Sequence, residues 1–264
     1  MTTGFKRTLA TAASAFVIGG ALPASAEEIK VGVTPGTHEQ VFEVVKEIAA
    51  EKGLEIEIIT FNDYVLPNEA LSLGDLDANS FQHEPYLDVQ KADRGYDLVP
   101  VAKNFVEPMG IYSEEYDSLE ALPEGAQVAI PNDPSNGGRA LLLLQREGIL
   151  KIDEAAGLTA GVVDIVENPK GLEFIELDAA QLPRSLADVD AAAINTNYAL
   201  EADLNPTRDA IAIEDAESPY VNLIVVQAED QDAPWVETLV ESYQTPEVRK
   251  FIEETFQGAV VPGW

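Results

Sequence analysis

The sequence predicts an α/β protein built as two successive blocks of strands and helices. Three observations predict it. The chain opens strand, amphipathic helix, strand; the same alternation restarts after about residue 108. Hydrophobic residues make up 46% of the 264 residues, with Ile, Val, Leu and Phe recurring throughout, enough for a sizeable core.

The elements follow in order. Ile29–Val33 is a short apolar strand. Thr37 opens a helix with Gln40 as its capping-box partner. Val41, Val44, Val45, Ile48 and Ala49 give that helix a buried face, and Gly53 ends it. Leu54–Ile59 is the next strand, so the opening predicts a parallel pair with a right-handed crossover. A short helix over Asn68–Leu73, a strand near Leu76–Phe81 and a helix over Pro85–Ala92 follow. Leu98–Val106 and Gly110–Tyr112 read as extended.

In the second block Gln127–Pro131 is a strand. Pro134–Arg146 is a helix with Leu141, Leu142 and Leu144 inward and Gly148 at its end. Gly161–Val166 and Glu173–Leu177 read as extended, and Ala191–Ile194 as a buried strand. A late strand, Leu223–Val226, precedes two helices over Pro234–Gly258. They divide at Thr245-Pro246, with Thr245 the cap and Pro246 the first helical residue. The blocks span 27–107 and 108–222, and residues 223–264 complete the first.

Residues 1–26 read as a secretory signal peptide. Lys6 and Arg7 form a positive start, Leu9–Leu22 is apolar and small, and Pro23-Ala24-Ser25-Ala26 ends in a cleavage signature. No later segment is long and apolar enough to span a bilayer. The chain has no Cys, and Glu27 follows the cleavage point, so the expectation is an exported protein without a lipid anchor.

Charge excludes several functions. There are 47 Asp plus Glu against 16 Lys plus Arg, a formal net charge of −31. Phosphate binding needs clustered cations, so nucleic acid is excluded as a partner, and an anionic membrane surface is disfavoured. Without Cys there are no disulfides, thiolate metal sites or Cys nucleophiles. The sequence also lacks the serine-hydrolase, zinc-protease and phosphate-loop motifs. No catalytic residue, cofactor or metal is expected.

In open α/β sheets ligands bind beyond the carboxyl ends of strands, and four such segments carry possible chemistry. Phe61–Asn68 contains Tyr64; Asp77–Tyr86 packs Phe81, His83 and Tyr86 together. Aromatics beside one imidazole suit a soft apolar side chain, or form an ordinary core cluster. Ala129–Arg139 runs a strand into a helix start rich in Asn, Ser and Gly. Asn136 and Arg139 there suit a carboxylate, although Ser135 and Asn136 equally suit capping and Arg139 a surface ion pair. The fourth is Ala193–Tyr198 with Asn195, followed later by Ser218-Pro219-Tyr220-Val221-Asn222. Asn offers donor and acceptor together, or simply caps a turn.

The strings FNDYVLPNEAL, LDANSFQHEPYL, VAIPNDPSNGGRALLLLQREGIL, AAAINTNYA and SPYVNLIVV resemble the NlpA family, the methionine-binding components of ABC importers. The resemblance runs from about Ile29 to Trp264. It implies a two-lobed periplasmic binding protein fold of type II, with the ligand closed between the lobes. By motif, Tyr64, Phe81, His83 and Tyr86 would surround the ligand side chain. Asn136, Arg139, Asn195 and Asn222 would hold its α-amino and α-carboxylate groups. The implied protein is a periplasmic monomer that delivers L- or D-methionine to a membrane permease and its ATPase. Another small amino acid or a methionine-containing dipeptide is the alternative ligand, and an enzyme acting on an amino-acid-like substrate the remote one.

Overall fold

The computed structural model describes residues 1–2, 27–215 and 219–264. The expected signal peptide, apart from Met1 and Thr2, and Ser218 lie outside the described residues.

The first block forms β1 (Glu27–Val33), α1 (Thr37–Glu51), β2 (Leu54–Thr60), α2 (Leu66–Leu73), β3 (Ala78–Ser80), α3 (Glu84–Arg94) and β4 (Leu98–Val106). The second comprises β5 (Gly110–Tyr112), β6 (Gln127–Pro131), α4 (Pro134–Arg146), β7 (Lys151–Ile152), β8 (Ile165–Glu167), β9 (Glu173–Leu177), α5 (Leu182–Ser185), β10 (Ala191–Ile194), α6 (Thr196–Glu201), α7 (Pro206–Asp209) and β11 (Ala212–Ile213). The chain then returns through β12 (Val221–Gln227), α8 (Pro234–Tyr243), α9 (Pro246–Phe256) and β13 (Val261–Pro262).

Two sheets result. The first runs β13-β4-β12-β3-β1-β2 and the second β11-β5-β10-β6-β9. The expected parallel β1–β2 pair is present, with Ile29 opposite Ile56 and Val31 opposite Ile58. Both sheets are covered on two faces, and their central strands β10 and β12 are largely apolar and buried, whereas the edge strands β2 and β9 mix glutamates with apolar residues. Val41, Phe42, Val45, Leu239 and Ile252 from α1, α8 and α9 cover one face of the first sheet, and Leu71 and Leu87 lie over the other. In the second, Leu141 and Leu144 of α4 pack on Val128 and Ile130, while Leu182 and Tyr198 pack opposite. The architecture is a two-lobed α/β fold with one main sheet in each lobe.

Several local expectations change. Thr37 is not the cap of α1: Gly36 holds that position at φ 79°, and no side chain caps the helix. The Thr37 hydroxyl instead donates to Glu107 Oε1 at 2.5 Å. Residues 161–166 are not one extended run, because Val162–Asp164 forms a 3-10 turn before β8. Leu142 is half-buried and Leu143 takes the inward place. Asp133 caps α4, accepting from Asn136 N at 2.9 Å, and Ser135 donates to Asp133. Val221 and Asn222 begin β12 and therefore stand on the first sheet.

Candidate functional site

Between the two main sheets lies a small cavity lined by residues of both. The structure brings every sequence-predicted site residue to its wall: Tyr64, Phe81, His83, Tyr86, Asn136, Arg139, Asn195 and Asn222. The cavity is aromatic at one end and polar at the other.

The aromatic end is set by α2 and α3. Asp63 Oδ1 accepts from Val65 N and Leu66 N at 2.7 and 2.8 Å, which turns the chain into α2 and holds Tyr64. Tyr64 lies 6.0 Å from Phe81 and 6.1 Å from Tyr86, ring centre to ring centre, and Phe81 meets Tyr86 edge-on at 5.9 Å. The Tyr86 hydroxyl donates to Tyr64 O at 2.8 Å. Behind this wall Gln82 sits in a buried amide cluster, donating to Asn68 Oδ1 at 2.6 Å and Asn79 Oδ1 at 3.0 Å.

His83 is the N-cap of α3, an unusual use of an imidazole. Its Nδ1 accepts from Tyr86 N at 3.2 Å, which leaves the ring proton on Nε2 to donate to Asn136 Oδ1 at 3.1 Å. Burial, and then the charge of Arg139, push its pKa down to about 3, so the ring is neutral. It is therefore neither a bystander of the aromatic cluster nor a proton donor of ordinary acidity.

The polar end comes mostly from the second sheet. Asp133 grips the Asn136 amide with both carboxylate oxygens at 3.1 and 3.0 Å. That turns Asn136 Oδ1 toward His83 and toward Asn195 Nδ2, 3.0 Å away. Asn195 occupies the cap position of α6, but its side chain makes no capping bond. Two buried amide atoms at the wall have no hydrogen-bond partner among the described residues: Asn195 Oδ1 and Asn197 Nδ2. One is an acceptor and the other a donor. Leaving both unmet costs about 1–3 kcal/mol each, so the cavity suits a ligand carrying a donor and an acceptor.

Arg139 is buried, 3% exposed, and is no surface ion pair. Its Nε donates to both oxygens of Glu214 at 2.9 Å, and its Nη2 to Glu107 O at 2.7 Å. Its guanidinium lies 4.4 Å from the Tyr220 ring centre. Burial opposes the charge, but the Glu214 carboxylate outweighs it and raises the pKa. Nη1 makes no hydrogen bond among the described residues, so two N–H groups remain for a ligand carboxylate.

Sequence reasoning missed part of the wall. It placed one formal charge in the pocket, Arg139; the structure adds Glu107 at the wall and Glu214 beside it. Asn197 also lines the cavity and accepts from the Tyr64 hydroxyl at 2.6 Å across the cleft. The signal for Glu107 was its place just after the long strand β4, where the chain leaves the first sheet.

Residues 29–264 match the family model described as NlpA lipoprotein. The chain belongs to the NlpA lipoprotein family. The D-methionine-binding lipoprotein MetQ of Escherichia coli strain K12 is 54% identical over 89% of this chain and 88% of its own. Outer membrane lipoprotein 3 of Mannheimia haemolytica is 48% identical, covering 90% and 91%. A solved nutrient binding protein from Burkholderia cenocepacia, bound to methionine, is 56% identical with a TM-score of 0.88, covering 89% of this chain and 100% of that one. These relatives are named as binding proteins and lipoproteins, not as enzymes.

Membership of the NlpA lipoprotein family corrects the expected localisation. The missing Cys and Glu27 suggested a protein cut free without an anchor, whereas the relatives matched over most of the chain are named lipoproteins. The unanchored localisation is therefore withdrawn, although the 264 residues contain no Cys.

Proposed function

We propose that this chain is a solute-binding protein that captures methionine between its two sheets and hands it to the permease and ATPase of an ABC importer. The observation that carries this reading is the two-ended cavity, with an aromatic wall opposite unmet amide atoms and a buried guanidinium. Tyr64, Phe81, His83 and Tyr86 receive the thioether side chain, since sulfur–aromatic contacts favour it by about 0.3–1.5 kcal/mol. Asn136, Arg139, Asn195 and Asn222 receive the α-amino and α-carboxylate groups. Residues 27–107 with 221–264 act as one lobe and about 108–220 as the other, closing on the ligand without turning it over. One chain lines the whole cavity, which supports a monomer as the working unit. The reading agrees with the methionine named for relatives of this family.

Isothermal titration of unfolded and refolded, ligand-free protein with L- and D-methionine tests it. Saturable heat with at least one is expected; no heat with either overturns the reading.

A further inference from the structure

We infer that the ring of Tyr198, which does not line the cavity, sets how long a ligand side chain the site accepts, by fixing Tyr64 from the opposite lobe. The inference rests on the methionine-binding reading above and adds to it a positioning residue and a basis for side-chain selection.

Tyr64 is the least secured part of the aromatic wall. It is half-buried, whereas Phe81, His83 and Tyr86 are each at most 5% exposed. Within its own lobe its ring meets Phe81 and Tyr86 at 6.0 and 6.1 Å, and the Tyr86 hydroxyl holds only its main-chain oxygen. The Tyr64 side chain is held instead by two consecutive residues of α6. Asn197 Oδ1 accepts from its hydroxyl at 2.6 Å. The Tyr198 ring lies 5.0 Å away, tilted by 39°, nearer than either ring of its own lobe.

Tyr198 is itself fixed. It is 5% exposed and belongs to the core cluster of the second lobe with Leu182 and Ile194, against which Tyr64 packs. Its hydroxyl donates to Asn62 O at 3.3 Å, in the same loop as Tyr64. Tyr64 is thus tied at its hydroxyl and backed by a buried ring, so it cannot retreat to admit a longer ligand. Close-packed walls of this kind register a single methylene. Without the Tyr198 ring the wall would border a void, into which Tyr64 could tilt while keeping its bond to Asn197. Tyr198 would then act on the ligand only through Tyr64, since it does not reach the cavity.

The test titrates refolded full-length protein, as wild type, Tyr198→Leu and Tyr198→Phe, with methionine and with ethionine, which is longer by one methylene. Each ligand is used as its L and D forms, and the two are compared within one enantiomer. The wild type is expected to prefer methionine by about tenfold or more. Tyr198→Leu should reduce that preference to about threefold or less, and Tyr198→Phe, which keeps the ring, should retain it. A merely structural loss weakens both ligands alike, so an unchanged preference in Tyr198→Leu overturns the inference while the methionine reading stands. A wild type that binds both ligands within about threefold overturns it too, as does Tyr198→Phe losing the preference as fully as Tyr198→Leu. Should Tyr198→Leu fail to fold, Tyr198→Met, whose flexible side chain fills irregular gaps, is judged by the same ratio. No heat with either form of methionine in the wild type overturns both readings.

Discussion

Replacing His83 with glutamine is expected to remove a defined part of the protein's sensitivity to acid. In the folded protein this ring stays neutral down to a pKa of about 3, because it is buried and shares its surroundings with Arg139. Both nitrogens are also committed. A second proton would have to sit on Nδ1, which already faces the Tyr86 N–H, so charging the ring breaks the cap of α3. In the unfolded chain the imidazole titrates near its ordinary value of about 6.5. Below that value the unfolded chain takes up a proton that the folded one refuses. Stability is therefore present above about pH 6.5 and is lost progressively as pH falls toward 3. At about pH 5 the loss amounts to roughly 2 kcal/mol, from about 1.4 kcal/mol for each pH unit below 6.5. Burial and Glu39 raise the Glu201 pKa, an effect of opposite sign that is common to both proteins and cancels in the difference. Urea unfolding of ligand-free wild type and His83→Gln at about pH 7.5 and pH 5 measures it. The wild type should lose about 2 kcal/mol more than the variant between those conditions. Parallel losses, or a more acid-sensitive variant, would refute a neutral, capping His83.

The remaining predictions concern the walls of the site. Arg139→Met leaves Glu214 buried without its partner and should cost about 3–5 kcal/mol of stability by chemical denaturation. In titration the same change should weaken methionine binding by about 2–5 kcal/mol, and adding Glu214→Gln should restore stability but not affinity. Tyr64→Phe removes the hydroxyl that reaches Asn197 across the cleft, and a thermal melt should register a loss of about 1–3 kcal/mol. Gly138→Ala would place a methyl carbon 2.4 Å from Leu158 O and 3.0 Å from Ala160 N, both backbone atoms. Overpacking there should destabilise the protein by about 1–3 kcal/mol, and an unchanged urea midpoint would show that the loop gives way freely.

The strands β4, β5, β6, β9 and β10 and the helix α4 stand at the bounds read from the sequence. Each joins a strong local pattern to unambiguous punctuation: proline at the start of α4, glycine beyond its end, short apolar runs between turns. Where the reading slipped, tertiary contacts overrode a local rule. Thr37 looks like a helix cap, yet a buried carboxylate 70 positions away claims its hydroxyl. The string at 161–166 is apolar enough for a strand, but Asp164 Oδ2 accepts from Gly161 N at 2.8 Å and folds it into a turn. Seven of the eight candidate residues were legible because each follows a strand and carries side-chain chemistry unusual for a turn; Asn222 lies inside β12 and was read from its motif alone. Glu107 and Glu214 were not, since in so acidic a chain no single carboxylate stands out until the fold buries it.

Bonds cross the cavity from one main sheet to the other, so separating the sheets would break them: Tyr64 to Asn197, the Tyr198 hydroxyl to Asn62 O, and His83 to Asn136. Arg139 is placed differently. The chain crosses between sheets from β4 to β5 and again from β11 to β12. Glu107 lies in the first crossing and Glu214 at the start of the second, and Arg139 bonds to both. Glu214 also accepts from Met109 N at 3.0 Å, so the crossings are tied to each other. A rotation that opens the cleft about these segments displaces atoms on them least. In such an opening Arg139 and the Glu107 main chain would keep their mutual geometry, and the aromatic wall with its cross-cleft bonds would be the part that assembles on closing. If the ligand takes the pose proposed above, its carboxylate would meet a preformed arginine and its side chain a wall completed only by closure, the order in which long-range electrostatic forces and short-range packing act.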